Sequence, residues 1–231
     1  MADVIYIKYN RTRKEEFQIK TEILEENGTK WVEKSALTEA GKAHIRSFRD
    51  KYEALKKQHV NIQAAEPQIS EDGRTARFAY LTGKTLAEVL GENIGSGQAP
   101  VEAIREVLGK ICQVYPEYLS PFVITDRLTE VFGPVPKFQD QAMAVSNIDA
   151  LLENILVTEK GWYFLDYEWV YDFPVPLGFV KYRILFYFYR KYASLMEYAG
   201  PEEFLKEFGM DEELLEAYGD METAFQSYVH G

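Results

Sequence analysis

Cysteine and histidine are scarce in this chain of 231 residues, which has one cysteine and three histidines. The single Cys112 excludes a disulfide framework and is typical of proteins from a reducing compartment. Because Cys112 lies within an apolar helical stretch, we expect a packed thiol and not a nucleophile. His44, His59 and His230 stand far apart in the sequence and show none of the spacings typical of a zinc site.

Long apolar runs are also missing. No stretch reaches the length of a membrane span, and no signal-peptide pattern stands at the start of the chain. We therefore expect a cytoplasmic protein without a transmembrane segment. The segment 183–192 is apolar nearly all round with basic flanks, which predicts a buried core helix. A membrane-peripheral or partner-facing helix is the alternative.

The charge is strongly negative, with 37 acidic against 26 basic residues and a net charge of -11. Nucleic-acid binding needs clustered lysine and arginine, so this balance argues against a nucleic-acid partner. A chain of this length can bury one large core or two small lobes.

The first third of the chain has the patterns of strands. Residues 4–9 and 17–24 predict a β-hairpin from their alternation of apolar and polar residues. Asn27-Gly28 is a strong turn signal, and residues 30–36 predict a third strand. A helix follows over 38–59, with an apolar stripe on one face formed by Ile45, Phe48, Tyr52 and Leu55.

Two further strands are predicted over 60–68 and 75–81, with a turn at 71–73 between them. The remainder is mostly helical, with helices expected over 85–90, 100–118, 126–132, 179–198, 201–208 and 211–228. The predicted class is α+β, with five antiparallel strands and one helix in an N-terminal lobe, 1–81, and a mostly helical C-terminal lobe, 82–231.

The run 146–169 holds the chemistry. It contains Asp149, Asn154 five residues later, an apolar strand at 155–157, a turn at 159–161, and a second strand at 162–165 that ends in Asp166. A short hairpin of this kind brings two carboxylates and a carboxamide together. Phosphoryl transfer depends mostly on positioning and charge neutralisation, and Mg²⁺ prefers one or two carboxylates with phosphate and water oxygens.

These residues therefore suggest a phosphotransfer site. Asp166 would be the rigid metal ligand and Asn154 a neutral oxygen ligand to the same Mg²⁺. Asp149 would accept a hydrogen bond from the acceptor hydroxyl. The alternative is purely structural, with Asp149 as a loop cap, Asn154 as a turn residue and Asp166 as a strand-end carboxylate.

The order of elements over residues 4–198 resembles the protein-kinase-like superfamily, in particular its aminoglycoside and choline phosphotransferase branch. In that resemblance Asp149 and Asn154 match the catalytic-loop pair, and Asp166 matches the metal-binding aspartate. The run 166–169, Asp-Tyr-Glu-Trp, is similar to the Asp-aromatic-Glu run of that branch. The resemblance implies a bilobal kinase-like fold that uses ATP and Mg²⁺.

The same resemblance implies a nucleotide site. Lys34 on the third strand would grip the α- and β-phosphates of ATP, and backbone groups at Tyr80 and Leu81 would bind adenine. Glu53 is the candidate partner of Lys34, with Asp50 and Glu39 as alternatives.

A narrower resemblance joins Ser146–Asp149 and the run 166–169 to kinase-like domains of bacterial surface-polysaccharide enzymes of O-antigen type. It implies an association with a glycosyltransferase or methyltransferase. Residues 174–176 follow Asp166 within ten positions, and a helix is expected from Phe179, which leaves no room for an activation loop. A small-molecule or glycan acceptor is therefore expected rather than a protein.

Two departures from the family pattern favour a different class of function. Residues 10–14, between the first two strands, contain no glycine, and Asn147 stands where the family has histidine. We expect Asn147 to support the loop by hydrogen bonding, as the histidine does. The rival hypothesis is a catalytically inactive pseudokinase that serves as a binding or scaffold module; another is an acceptor-recognition domain of a larger synthase.

Three further side chains have open interpretations. Glu168 would support Asp166, bind a second Mg²⁺ or cap the next segment. Lys181 and Arg183 are expected on a solvated helix surface, with binding of an acidic acceptor group as the alternative. For the aromatic residues around Asp166 we expect packing rather than sugar stacking.

Overall fold

The computed structural model describes residues 2–95 and 100–231. Its helices are α1 (Gly41–Gln58), α2 (Leu86–Gly95), α3 (Pro100–Ile111), α4 (Asp126–Phe132), α5 (Leu177–Tyr192), α6 (Pro201–Lys206) and α7 (Glu212–His230). Its strands are β1 (Asp3–Tyr9), β2 (Ile19–Glu26), β3 (Thr29–Ala36), β4 (Ile62–Ala64), β5 (Gln68–Ile69), β6 (Thr75–Ala79), β7 (Lys84–Thr85), β8 (Leu119–Pro121), β9 (Gln141–Met143), β10 (Ser146–Asn147), β11 (Ile155–Thr158), β12 (Gly161–Phe164) and β13 (Val170–Tyr171). The predicted α+β class is confirmed.

The chain divides into two compact units. The first comprises Met1–Lys57, Ala64–Thr82 and Gln226–Gly231, and the second comprises Gln58–Gln63 and Gly83–Phe225. The lobe division after residue 81 stays a prediction.

The first unit contains a five-stranded antiparallel sheet in the order β1-β2-β3-β6-β5. The turn between β2 and β3 is made by Asn27 and Gly28, whose φ angles are 52° and 78°. Positive φ at both central residues suits the right-handed twist of a hairpin, which is why the Asn-Gly pair predicts the turn correctly.

Helix α1 supplies the core of the first unit. Ile45, Phe48 and Leu55 are fully buried, as the apolar stripe predicts, and the Phe48 ring packs edge-on against Phe78 of β6 at 5.6 Å. The helix begins at Gly41, three residues later than predicted, because the Thr38 hydroxyl caps it by accepting the Gly41 amide at 3.0 Å.

The single strand predicted over 60–68 is wrong. Its first part is β4, which belongs to the sheet β4-β12-β11-β7, and its last part is β5, a two-residue edge strand paired with β6. Pro67 has no amide hydrogen to donate to a ladder, so a continuous strand through this position is disfavoured.

The second unit is built around α5, which is buried on nearly all sides, as expected for a core helix. No helix in the described ranges is both long and apolar enough to cross a membrane. Helix α3 ends at Ile111. It cannot continue to the predicted 118, because Pro116 disfavours helical backbone at Tyr115, which is extended. Helix α5 ends at Tyr192, and a 3-10 turn over Ala193–Leu195 follows where α-helix was predicted.

A cluster of aromatic rings fills the core of the second unit. Phe132, at the end of α4, is 1% exposed and contacts the rings of Tyr171, Phe173, Phe179 and Phe225 at 5.3–6.5 Å between centroids. Helix α4 has its predicted bounds because Thr125 caps its first turn and Gly133, with φ of 70°, ends it.

Candidate functional site

The predicted hairpin is present in the second unit. Strands β11 and β12 pair antiparallel with Ile155 opposite Phe164 and Thr158 opposite Gly161. The ladder continues beyond the strands, where the Leu165 amide donates to the Asn154 carbonyl at 2.9 Å. Asp166 is the next residue along the chain after this bonded Asn154–Leu165 pair. Both Ile155 and Phe164 are fully buried, which anchors the hairpin below these polar residues.

The loop that carries Asp149 is held to the same structure by hydrogen bonds. The Ile148 amide donates to the Trp169 carbonyl at 3.0 Å, and the Asn154 side-chain amide donates to the Asp149 carbonyl at 3.0 Å. The Asn147 carboxamide oxygen accepts the Asp149 amide at 3.0 Å. Asn147 therefore supports the loop by hydrogen bonding, as predicted.

Gln58 fixes the entry to this loop, a role that the sequence does not indicate. Its fully buried side chain accepts the Val145 amide at 2.9 Å and donates to the Val145 carbonyl at 2.6 Å. A carboxamide can replace a neighbouring strand in this way because it has a donor and an acceptor like a peptide group.

The side chains present suit a magnesium ion. The side-chain nitrogen of Asn154 donates to the Asp149 carbonyl. The side-chain oxygen of Asn154 makes no hydrogen bond within the described ranges. Asp166 is half-buried. One carboxylate and one neutral oxygen are few protein ligands. Mg²⁺ commonly binds with so few, because phosphate oxygens and water supply its remaining ligands. No group of three or more His, Cys, Asp or Glu side chains that could hold a metal exists in residues 2–95 and 100–231.

Arg183 is not on a solvated surface, so that prediction is wrong. Its side chain is 3% exposed. The guanidinium donates to the Ile148 carbonyl at 2.9 Å, forms an ion pair with Glu222 and lies 3.5 Å from a carboxylate oxygen of Asp149. A charged residue inside a helix that is apolar on all sides must be buried and paired, and this signal is present in the sequence.

Two tyrosines and a thiol show how burial sets the ionisation of groups in this unit. Tyr187 donates to Glu222 at 2.8 Å, and burial together with the Glu222 charge raises the pKa of Tyr187 to about 12. Burial also raises the pKa of the Tyr218 phenol. Burial raises the pKa of the Cys112 thiol to about 11, so the thiol stays protonated at neutral pH and is a poor nucleophile.

The residues after Asp166 point inward. Tyr167 is fully buried and Trp169 is 6% exposed, with the Trp169 ring 5.3 Å from that of Phe225. Packing, and not sugar stacking, is therefore confirmed for these two rings. Glu168 is 2% exposed, which places its carboxylate inside the protein, where a charge must be compensated.

The predicted nucleotide residues lie in the first unit. Lys34 is 4% exposed on β3, with its ammonium 5.6 Å from the centre of the Phe48 ring. Glu53 lies on α1 and is half-buried, whereas Glu39 is paired with Lys42 and Arg74. Which acid partners Lys34 therefore stays a prediction.

Tyr80 and Leu81 follow the end of β6. Tyr80 is 40% exposed, and the Lys30 ammonium lies 5.8 Å from its ring centre. Their role in binding adenine stays a prediction. Gly83 in the second unit, two residues beyond Leu81, approaches β11 so closely that an added Cβ would lie 2.1 Å from the Val157 carbonyl oxygen.

The loop between β1 and β2, residues 10–18 (the β1–β2 loop), is fixed to other parts of the first unit. The Lys14 amide donates to the Val229 carbonyl at 2.9 Å, and the Thr38 hydroxyl donates to the Glu15 carbonyl at 2.7 Å. The Gln18 side chain donates to the Arg13 carbonyl at 2.8 Å. This loop contains a 3-10 turn, Glu15–Phe17, and no glycine.

A cavity of about 310 Å³ lies elsewhere in the second unit. It is lined by Tyr182, Phe186, Pro201, Glu202, Leu205, Glu212, Leu215 and Glu216. None of the predicted site residues lines it, so its size gives no ground for placing the reaction there.

Comparisons with known proteins give structural similarities alone. No family model and no curated protein matches the sequence. Aminoglycoside phosphotransferase APH(4)-Ia aligns with a TM-score of 0.43 and 11% identity over 97% of this chain and 94% of its own. Ethanolamine kinase from Plasmodium vivax aligns with a TM-score of 0.46 and 13% identity over 98% and 72%. Macrolide 2'-phosphotransferase MphH from Brachybacterium faecium aligns with a TM-score of 0.38 and 13% identity over 96% and 91%.

Proposed function

We propose that this chain transfers the γ-phosphate of ATP to a hydroxyl of a small molecule or glycan in a magnesium-dependent reaction. The observation that carries the proposal is the gathering of Asp149, Asn154 and Asp166 on one hydrogen-bonded hairpin and loop. These three side chains supply the oxygen atoms that orientation of a hydroxyl and binding of Mg²⁺ require.

Each residue has a distinct task in the proposed reaction. Asp149 accepts a hydrogen bond from the acceptor hydroxyl and so directs its oxygen toward the phosphorus. Asn154 and Asp166 hold Mg²⁺, which neutralises charge on the transferring phosphoryl group when it is bound. Lys34 contacts the phosphates, and the backbone at Tyr80 and Leu81 binds adenine. Because the transition state is loose, fixed geometry matters more than the basicity of Asp149.

The acceptor class is tested with a panel of hydroxyl compounds. Purified protein is incubated with ATP and Mg²⁺ together with amino alcohols, aminoglycosides, macrolides or oligosaccharides, and ADP release and the phosphorylated product are measured. We expect turnover that needs Mg²⁺ and is lost in Asp149→Asn. Product formation that persists at full rate in Asp149→Asn or without a divalent cation would refute the assignment.

The narrower hypothesis makes a surface polysaccharide precursor the acceptor and a glycosyltransferase or methyltransferase the associated enzyme. In this case the oligosaccharide members of the panel are the preferred acceptors. The supply of ATP and Mg²⁺ would place the reaction in the cytoplasm. A membrane-peripheral location gains no support from α5, because this helix is buried and exposes no apolar face.

One observation favours the pseudokinase hypothesis as a second candidate. The β1–β2 loop is fixed by hydrogen bonds and has no glycine that would let its backbone approach a phosphate closely. A thermal-shift measurement separates the two functions, since a ligand at 100 times its Kd stabilises a protein by about 2.7 kcal/mol. A shift with ATP that requires Mg²⁺ supports the enzyme. No shift at millimolar ATP supports the scaffold.

A further inference from the structure

Arg183 is bonded on three sides within the second unit. It donates to the Ile148 carbonyl at 2.9 Å, pairs with Glu222 and reaches a carboxylate oxygen of Asp149 at 3.5 Å. Its guanidinium carbon also lies 4.9 Å from the ring centre of Phe225 and 5.4 Å from that of Tyr187. The planar group is therefore fixed in its plane by acceptors and across its faces by rings.

The two acceptors in the loop 146–154 are neighbours in sequence. One is the backbone carbonyl of Ile148 and the other is the side chain of Asp149. A single rigid guanidinium that contacts both determines the backbone position and the carboxylate orientation of Asp149 together. A lysine ammonium is a point charge and cannot reproduce this forked contact.

Glu222 of α7 completes the arrangement. Its carboxylate pairs with Arg183 and also accepts the Tyr187 hydroxyl at 2.8 Å. Asp149 is therefore not the sole counter-ion of the buried arginine, and its contact of 3.5 Å is long for a hydrogen bond.

From these contacts we propose that Arg183 is a positioning residue that fixes Asp149, with Glu222 as its charge partner. This proposal deepens the proposed phosphotransfer function and rests on it for its catalytic meaning. The positioning itself is a physical property of the loop, and it is measurable whether or not turnover is found.

The experiment separates positioning from folding by removing the buried charges together. Removal of one member of a buried ion pair is strongly destabilising, whereas replacement of the whole group by apolar residues of similar volume is often neutral. The test variant is Arg183→Met/Tyr187→Phe/Glu222→Leu. The matched control is Arg190→Met, which removes an exposed arginine from the same helix.

The first readout is amide hydrogen exchange of the loop peptide 147–154, compared with that of strand β2 in the first unit. In the triple variant we expect loop exchange to be faster by about tenfold or more, as for loss of one charge-assisted hydrogen bond. Exchange of β2 and of the Arg190→Met control stays at the wild-type value. Wild-type loop exchange in the folded triple variant would overturn the proposal.

The second readout is magnesium-dependent ATP turnover. We expect kcat to fall about 100-fold in the triple variant while KM for ATP stays within about threefold, because a misplaced catalytic group affects the chemical step. An equal kcat in the folded variant and the wild type also contradicts the proposal. If the wild type shows no turnover, the proposed function fails, and the exchange measurement still decides the positioning role.

Arg183→Lys keeps a buried cation and serves if the triple variant does not fold. Since a lysine cannot contact Ile148 and Asp149 at once, we expect loop exchange about threefold or more above the wild type. Full retention of loop protection in Arg183→Lys would show that charge alone suffices and that the forked contact does not position Asp149.

Discussion

Two loops of this protein are held in place by hydrogen bonds, but they differ in what is held. In the loop 146–154 the bonds join Asn147, Asp149 and Asn154 to one another and to the adjoining strands. In the β1–β2 loop the bonds join backbone groups to Thr38 and to the end of the chain. The first loop carries oxygen-bearing side chains. The second has no glycine at which a phosphate could approach the backbone closely.

The difference separates two requirements of phosphotransfer. Orientation of an acceptor needs a rigid carboxylate, and the loop 146–154 carries Asp149. Phosphate binding through backbone amides needs glycine, which the β1–β2 loop lacks. Two of its basic side chains, Arg11 and Lys14, lie over the rings of Tyr9 and Tyr228 at 4.5 and 5.2 Å. Nucleotide binding would then depend on cationic side chains more than on backbone amides.

The largest expected effect comes from a substitution at the proposed metal ligand Asp166. Asp166→Ala should lower turnover more than a thousandfold, which is about 4 kcal/mol of transition-state stabilisation. The matched control is Asp172→Ala, since Asp172 lies six residues later and pairs with Arg127 at the surface. Steady-state kinetics of both variants are compared, and near-normal turnover in Asp166→Ala would remove the metal assignment.

An acid titration tests the packing of buried His59 against the β11–β12 hairpin. His59 packs edge-on against Phe164 of β12 at 5.1 Å, and burial lowers its pKa from 6.5 to about 4. In the unfolded chain His59 binds a proton below pH 6.5, whereas in the folded chain it binds one only below about pH 4. Stability contributed by neutral His59 is complete above pH 6.5 and falls by about 3 kcal/mol as the pH drops to 4.

Urea unfolding of the wild type and of His59→Leu between pH 7 and pH 4 measures this contribution. The variant should lose that part of the pH dependence, whereas His230→Leu, at an exposed position, should retain it. Parallel stability curves for the wild type and His59→Leu would contradict the burial of a neutral imidazole.

A glycine substitution tests how closely the chain must approach the hairpin. In Gly83→Ala the new Cβ would lie 2.1 Å from the Val157 carbonyl oxygen, so β7 must separate from β11. We expect a loss of about 2 kcal/mol in the free energy of unfolding. Gly109→Ala is the control, because a Cβ added at Gly109 in α3 would meet no atom within 4 Å beyond the adjoining backbone of its own helix. Equal unfolding midpoints for the two variants would mean that the backbone adjusts freely.

The smallest effect belongs to the β1–β2 loop. Thr38→Ala removes the cap of α1 and the bond to the Glu15 carbonyl, and should lower stability by about 1 kcal/mol. Thr38→Ser keeps the hydroxyl and should retain most of the wild-type stability. Hydrogen exchange of residues 10–18 should rise in Thr38→Ala alone, and an unchanged rate would show that the chain end is sufficient to hold the loop.

Local patterns are sufficient for much of the fold. The Asn27-Gly28 turn, the stripe on α1 and the hairpin at 155–164 follow from spacing and turn chemistry over a few residues. The prediction is wrong at 60–68, where an apolar run contains two short strands of different sheets. Alternation cannot tell which sheet a strand joins, because the partner strands lie far away in the sequence.

The site divides in the same way. Asp149, Asn154 and Asp166 could be proposed from the sequence because they fall within one run of the chain, on a loop and hairpin that local patterns predict. The partners of Arg183 are not predicted, since Ile148 and Glu222 are 35 and 39 residues away along the chain. The support by Gln58 escapes prediction for a similar reason, as Val145 is 87 residues distant.

The amino-acid sequence by itself determined the α+β class, most of the helices and strands, and the three polar residues of the hairpin and loop, because each depends on neighbours within a turn or a strand. Tertiary structure alone decided which distant groups hold that loop and which partners compensate its buried charges. Burial makes an unpaired charge unfavourable. The packing of α5 against α7 therefore pairs Arg183 with Glu222, and no local sequence pattern predicts this pair.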